Sequence, residues 1–154
     1  ELESSFLQIQ NNDIKKGKFY IKNGRLRVDY DDSAKITFII KKNNAMYYNQ
    51  DLQEVQYFNP KKNNTKIFFD LFNDREFLND AKISINNKMF YFAKELTIAN
   101  EKNIIKIFFE EYPINIRKLE IINNNGLTAF YINNTNFNPN LNDKIFSLAN
   151  PLIN

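Results

Sequence analysis

The stretch KFYIKNGRLRVDY, residues 18–30, decides the fold class of this chain. It contains two runs in which apolar and polar residues alternate with a period of two. That spacing is typical of antiparallel strands buried on one face. The dipeptide Asn23-Gly24 separates the runs and is a strong signal for a two-residue hairpin turn. The stretch therefore predicts a β-hairpin with these residues on its apolar face: Phe19, Ile21, Leu26, Val28 and Tyr30.

Similar short runs continue along the chain and are separated by Asn-rich turns, among them Asn86-Asn87. Residues 36–40 predict a strand that presents Ile36, Phe38 and Ile40 on one face. Further strands are predicted at 45–48, 55–58, 81–85, 89–94, 96–99, 103–110, 115–122, 127–133 and 144–148. Residues 67–72 fit a short helix with an aromatic face formed by Phe68, Phe69 and Phe72. Short strands with such regular turns are typical of an all-β sandwich or barrel.

The composition excludes several kinds of site. The 154 residues include no Cys, no His and no Trp, but 15 Phe and 8 Tyr. Without Cys the chain has no disulfide, thiolate nucleophile or lipidated cysteine, and without His it lacks the usual triads and zinc sites. The pairs Asp31-Asp32 and Glu110-Glu111 lie on adjacent strand positions, which point to opposite faces, and are interpreted as solvated surface. We expect no catalytic residue, metal or cofactor.

The charge of the chain is mildly basic, with a net charge of +3 and a pI near 9.0. This weakly favours anionic partners such as membrane surfaces. Arg is scarce and the lysines scatter over nearly every predicted strand, so no nucleic-acid site is expected. No stretch approaches the roughly 20 apolar residues that a membrane-spanning helix needs.

The Phe content leaves two interpretations of the interior. Fifteen Phe side chains supply more large apolar area than a tightly filled small barrel needs. They can form a filled core, or they can line an enclosed apolar cavity in a barrel or half-barrel. The residue pattern alone leaves both open.

Several motifs resemble the LolA family of outer-membrane lipoprotein carrier proteins. Residues 17–31 resemble the family's early hairpin, GxFyIkkPgrlRwdY, and residues 45–55 resemble the block dGkxvwxYdpdLeQV. Weaker likenesses are found at 6–8, at the helix candidate 67–72 and at 145–151. The chain departs from the pattern at Lys22-Asn23-Gly24, where the family usually carries a Lys/Arg-Pro pair. It also lacks the family's usual aromatic residue near Val28.

The resemblance implies a mainly β fold: an incomplete, strongly curved antiparallel β-barrel with a short helical lid over an apolar cavity. It covers nearly the whole chain, so residues 1–154 are expected to form one domain. The family's N-terminal helix before Phe6 is nearly absent here, which implies either that it has been trimmed or that the chain is an atypical member. The implied function is a periplasmic carrier, without enzyme activity, that moves lipoproteins from the inner membrane to an outer-membrane acceptor.

The expected lipid-binding residues combine the apolar strand faces with the helix candidate. They are Phe19, Ile21, Leu26, Val28, Tyr30, Ile36, Phe38, Ile40, Phe68, Phe69 and Phe72. The implied partners are lipoprotein acyl chains, an inner-membrane lipoprotein-releasing transporter and an outer-membrane lipoprotein receptor. The mature chain is expected to be a periplasmic monomer whose signal peptide is not in this sequence. The alternatives are a LolB-like receptor, a periplasmic lipid-sensing domain, an enzyme on a β scaffold and a purely structural β-domain.

Overall fold

The computed structural model describes residues 1–86 and 89–153. In this part of the chain eleven strands form one antiparallel sheet, with one α-helix between the sixth and seventh strands. The strands are β1 (Leu2–Gln10), β2 (Asp13–Lys22), β3 (Arg25–Tyr30), β4 (Ile36–Lys41), β5 (Asn44–Asn49), β6 (Glu54–Phe58), β7 (Lys82–Asn86), β8 (Met89–Ile98), β9 (Glu101–Glu111), β10 (Ile114–Asn123) and β11 (Gly126–Asn136). The helix is α1 (Thr65–Asn73), and short 3-10 helices cover Pro60–Lys62 and Asp143–Phe146.

The sheet runs in the order β6-β5-β4-β3-β2-β1-β11-β10-β9-β8-β7. Strand β1 therefore lies in the middle, paired with both β2 and β11. The two edges are β6 and β7, which stay unpaired with each other in the described residues. This arrangement confirms the predicted incomplete, curved antiparallel barrel with a short helical lid.

The hairpin at Asn23-Gly24 forms as predicted. Both turn residues have positive φ, 49° for Asn23 and 70° for Gly24, as a two-residue type I′ turn requires. Directly opposite residues of an antiparallel pair share a face, so the register places Phe19 beside Val28 and Ile21 beside Leu26. The apolar faces of β2 and β3 thus point to the same side of the sheet, which is the concave side.

Helix α1 packs its apolar face against that concave side. Ile67 is fully buried in the cluster, and Phe68, Leu71 and Phe72 pack around it at the spacing of one helical face. The Asp74 backbone N–H donates to the Asp70 carbonyl at 2.8 Å, and the chain leaves the helix there. The predicted short aromatic helix is therefore present and covers the sheet.

A close approach at Gly17 lets the sheet curve around the Phe6 ring. A Cβ atom at Gly17 would lie 2.6 Å from Cζ of Phe6 and 2.3 Å from the Asp29 carbonyl oxygen. Those distances are far below van der Waals contact. Only glycine fits at this point of β2, and the free space is filled by an aromatic ring from β1.

The predicted strand at 144–148 is wrong, because Asp143–Phe146 is a 3-10 helix. The Asn142 side chain accepts a hydrogen bond from the Lys144 N–H and starts this turn locally. The segment then packs on the convex face, where the Arg27 side chain donates to the Ile145 carbonyl at 2.9 Å. Burial of Phe146 there explains the strand-like apolar pattern without any strand pairing.

Two smaller differences concern the centre of the chain. The predicted strands at 89–94 and 96–99 form one continuous strand, β8, because all its residues pair with β9. Asn86 of the predicted turn belongs to β7, and Asn87 lies outside the described residues.

A group of charges holds the C-terminal segment to the convex face. The Lys22 ammonium lies 2.9 Å from a Glu1 carboxylate oxygen and 3.3 Å from one of Asp143, and it donates to the Leu141 carbonyl at 2.6 Å. The Arg25 guanidinium lies 2.7 Å from Asp143. Hydrogen bonds from Arg25, and then from Lys22, hold the pKa of the Asp143 carboxyl below its ordinary value.

Candidate functional site

A cavity lies between helix α1 and the concave face of the sheet. Its volume, including the part open to solvent, is about 730 Å³. Its walls are Phe6, Phe19, Leu26, Val28, Tyr30, Phe38, Ile40, Thr65, Phe68, Leu71, Phe72, Leu119, Phe130 and Ile132. Within this set only Tyr30 and Thr65 carry polar side-chain atoms, so the cavity favours an apolar ligand.

Most of the predicted lipid-binding residues meet at this cavity. Those that line it are Phe19, Leu26, Val28, Tyr30, Phe38, Ile40, Phe68 and Phe72. Ile21 and Phe69 instead pack against the buried cluster beside it. Ile36 is half-buried at the start of β4, opposite Asn49, and lies outside the wall. A contact of any of these residues with lipid stays a prediction.

Six of the fourteen wall residues were not predicted from the sequence, four of them on strands and two on α1. Phe6 comes from β1, Leu119 from β10, and Phe130 and Ile132 from β11. Phe130 and Ile132 lie in the predicted strand 127–133, but the neighbouring Ala129 and Tyr131 blur the alternation, so the pattern did not mark one face. Their place opposite the early hairpin depends on the pairing of β1 with β11, which joins residues more than 100 positions apart.

Two aromatic contacts hold the helix on the sheet. The Phe72 ring lies 5.5 Å from that of Phe19 between ring centroids, and the Phe68 ring meets Phe130 edge-on at 4.8 Å. Such pairs contribute about 0.5–1.5 kcal/mol each beyond the area they bury. The contacts are apolar and free of hydrogen bonds, so the lid can exchange them for contacts with an apolar ligand.

One end of the cavity carries a row of aromatic rings with a polar tip. Phe38 lies between Tyr30 and Tyr47, with ring centroids 6.1 and 5.2 Å apart. The Tyr30 hydroxyl donates to the Gln8 side-chain oxygen at 2.7 Å. Burial, and then the nearby Asp32 carboxylate, raise the pKa of Tyr30 to about 12. Tyr30 therefore stays neutral and keeps this end of the wall uncharged.

The site offers binding by desolvation rather than a set of reactive groups. Among the described residues no group of three or more acidic, Cys or His side chains is placed to hold a metal ion. In the same residues no helix is long and apolar enough to cross a membrane. Each methylene that leaves water for such a wall contributes about 0.8 kcal/mol, so a long alkyl chain is the kind of ligand that gains most here.

Comparison with known proteins gives one family. A family model described as outer membrane lipoprotein carrier protein LolA matches residues 2–149. A search of curated proteins found no match. The family consists of lipoprotein carriers and chaperones of the periplasm, with lipoproteins as cargo. The match spans the strands, the helix and the cavity described above, and the chain therefore belongs to the LolA family of outer membrane lipoprotein carrier proteins.

Proposed function

We propose that this chain is a periplasmic shuttle that takes lipoproteins from the inner membrane to an outer-membrane acceptor. At least one acyl chain of the cargo occupies the cavity under α1, in contact with the predicted wall residues. The observation that carries the proposal is this helix-covered cavity with an almost wholly apolar wall. The protein works as one domain and as a monomer, and it performs no reaction on its cargo.

The partners follow from the two membranes that the shuttle connects. A lipoprotein-releasing transporter loads the cavity, and an outer-membrane receptor empties it. An acyl chain leaves water only when apolar side chains surround it instead. The rings of Phe19 and Phe130 are covered by α1, so loading requires α1 to move away from them. Unloading then needs only an acceptor that binds the chains more tightly than this cavity does.

The test is titration of the purified protein with a fluorescent fatty acid, with competition by an unlabelled one. We expect saturable binding at micromolar concentration and displacement by the competitor. A matched pair of variants locates the site: Phe72→Ser at the wall and Leu52→Ser at an exposed turn. Weaker binding only in Phe72→Ser supports the cavity, and absence of any binding to the wild type removes the basis of the proposal.

A second experiment separates a shuttle from a LolB-like receptor. The protein is loaded with a fluorescent diacylated peptide and mixed with phospholipid vesicles, which are then floated on a density gradient. A shuttle keeps its cargo and leaves it in the aqueous fraction, whereas a receptor deposits the peptide in the vesicles unaided. Rapid transfer to the floated vesicles would favour the receptor.

A further inference from the structure

Part of the concave face lies outside the cavity, and its side chains are exposed on β7 and half-buried on β8, β9 and β10. On this part, register places Ile83 opposite Phe92 and Ile85 opposite Phe90, so all four side chains share one face. Ile83 is 64% exposed and Ile85 is 77% exposed. Phe109 and Ile116 continue the same face on β9 and β10. We call these six residues the open strip.

Aromatic packing gives the open strip a defined shape. The Phe90 ring stacks on Phe109 at 5.3 Å between centroids, and Phe92 meets the same ring edge-on at 5.5 Å. Exposed apolar patches of this kind are uncommon on monomers unless they bind something. Ile83 and Ile85 lie on the edge strand β7, so the strip is open along that side.

The open strip is continuous with the wall of the cavity. Leu119 lines the cavity and pairs with Ile107, and Ile107 pairs with Phe92 of the strip. Phe109 and Ile116 also pack against the buried cluster that surrounds the cavity. An alkyl chain that leaves the cavity past Leu119 therefore meets further apolar side chains before it meets water.

The size of the cavity explains why a second apolar surface is needed. A methylene group takes up nearly the same space as a water molecule in the liquid, roughly 30 Å³. A chain of about 16 carbons then needs about 480 Å³ by the same estimate. The space of about 730 Å³ is an upper bound, because it includes the open mouth, and it is already smaller than the about 960 Å³ that two such chains need. A lipoprotein anchor with two or more chains exceeds it.

We propose that the open strip is a second acyl-chain site, which takes the chain of the cargo anchor that the cavity under α1 cannot hold. This inference rests on the proposed function, because it assumes that the cargo is an acylated anchor. It assigns the two surfaces different roles. The cavity encloses one chain under the lid, and the strip shields one side of a second chain along β7, β8 and β9.

The experiment compares a single-chain probe with a two-chain probe. Fluorescent palmitate and a fluorescent diacylglycerol with two 16-carbon chains are titrated into the wild type and two variants. The strip variant is Ile83→Ser with Ile85→Ser, and the control is Ile14→Ser, which is 60% exposed on the convex face. Because all three side chains are exposed, the variants are expected to fold, and thermal melting checks this.

We expect the strip variant to bind palmitate like the wild type and to bind the two-chain probe at least about tenfold more weakly. The control variant should bind both probes like the wild type. Equal two-chain affinity in the strip variant and the wild type would overturn the strip while leaving the cavity in place. If the wild type binds neither probe, the proposed function itself fails.

A competing occupant is a second copy of the chain, since β7 is a free sheet edge. Analytical ultracentrifugation of the wild type and the strip variant tests this directly. The acyl-chain site would be overturned by two results together. The wild type would form a dimer with rising concentration that the strip variant does not form, and both proteins would bind the two-chain probe equally well. A monomer in both proteins, with the loss of two-chain affinity, supports it.

Discussion

Phe38→Asp tests whether the space under the lid is a ligand cavity or part of a filled core. Phe38 and Ile40 lie on the same face of β4 and both belong to the cavity wall, but Phe38 is half-buried whereas Ile40 is only 1% exposed, so water reaches the first position and not the second. A carboxylate at position 38 can be hydrated while the cavity is empty. The same group at position 40 would be surrounded by packed side chains, which makes Ile40→Asp a matched control on the same strand.

The two variants should differ strongly in stability. Phe38→Asp removes two aromatic contacts, with Tyr30 and Tyr47, of about 0.5–1.5 kcal/mol each. We expect a loss of about 2–3 kcal/mol, which lowers Tm by roughly 5–10 °C for a chain of this length. Ile40→Asp buries an unpaired charge, for which a loss of more than about 4 kcal/mol and failure to fold are expected.

The effect of Phe38→Asp on acyl binding can be worked out from proton uptake. An acyl chain in the cavity removes water from the carboxylate, which then binds a proton instead of staying charged. With an ordinary Asp pKa of about 3.9, protonation at pH 7 costs about 4 kcal/mol, or roughly a thousandfold in affinity. At pH 5 the same step costs only about 1.5 kcal/mol, so acidification should restore most of the lost affinity.

The assay is fluorescent fatty-acid titration of the wild type, Phe38→Asp and Phe38→Asn at pH 7 and pH 5. Asn has the shape of Asp but does not titrate, so the binding defect of Phe38→Asn should be the same at both pH values. The wild-type titrations at the two pH values correct for the ionisation of the probe itself. Parallel behaviour of the Asp and Asn variants would refute the desolvation argument. Equal loss of stability in Phe38→Asp and Ile40→Asp would show that position 38 belongs to a filled core.

Three further predictions concern the scaffold. Gly17→Ala forces a methyl group against the Asp29 carbonyl oxygen and the Phe6 ring and should cost about 3 kcal/mol or more in urea unfolding; an unchanged midpoint would contradict the close approach. The raised pKa of Tyr30 gives the fold a contribution that is fully present below pH 10 and is lost as pH rises to about 12, so the urea midpoint of the wild type should fall relative to that of Tyr30→Phe over this range rather than run parallel to it. Asp143→Asn should speed hydrogen exchange in residues 141–148 at neutral pH, and the difference should vanish below the lowered pKa of Asp143, where the wild-type carboxyl is also neutral.

The early hairpin could be predicted because its signals are local. Alternation on both strands and the Asn23-Gly24 turn fix which residues share a face, and the structure keeps that register. The helix followed from the five apolar residues among the six at 67–72. In both cases the deciding contacts join residues close in sequence, so the pattern contains most of the information.

The remaining parts depend on contacts between distant residues. Strand β1 has a weak period of two, and its place beside β11 is set by pairs such as Phe6 with Ile132. The segment at 144–148 looks like a strand because Ile145 and Phe146 are apolar, yet its burial comes from the convex face of the sheet. Four wall residues likewise come from β1, β10 and β11, whose positions no local pattern specifies.

The place of the helix in the chain has a mechanical consequence. Residues 59–81, which include α1, connect β6 to β7, and these strands are the two edges of the sheet. The helical lid is therefore attached to both edges of the sheet, whereas a hinged lid would be attached on one side only. A bulky ligand that moves β6 and β7 apart pulls on both ends of the segment 59–81. Widening of the gap between these two strands and displacement of α1 are therefore expected to occur as one motion. A circular permutant that links the two ends of this 154-residue sequence and opens the chain between 74 and 81 would free the helix from one edge and separate the two movements.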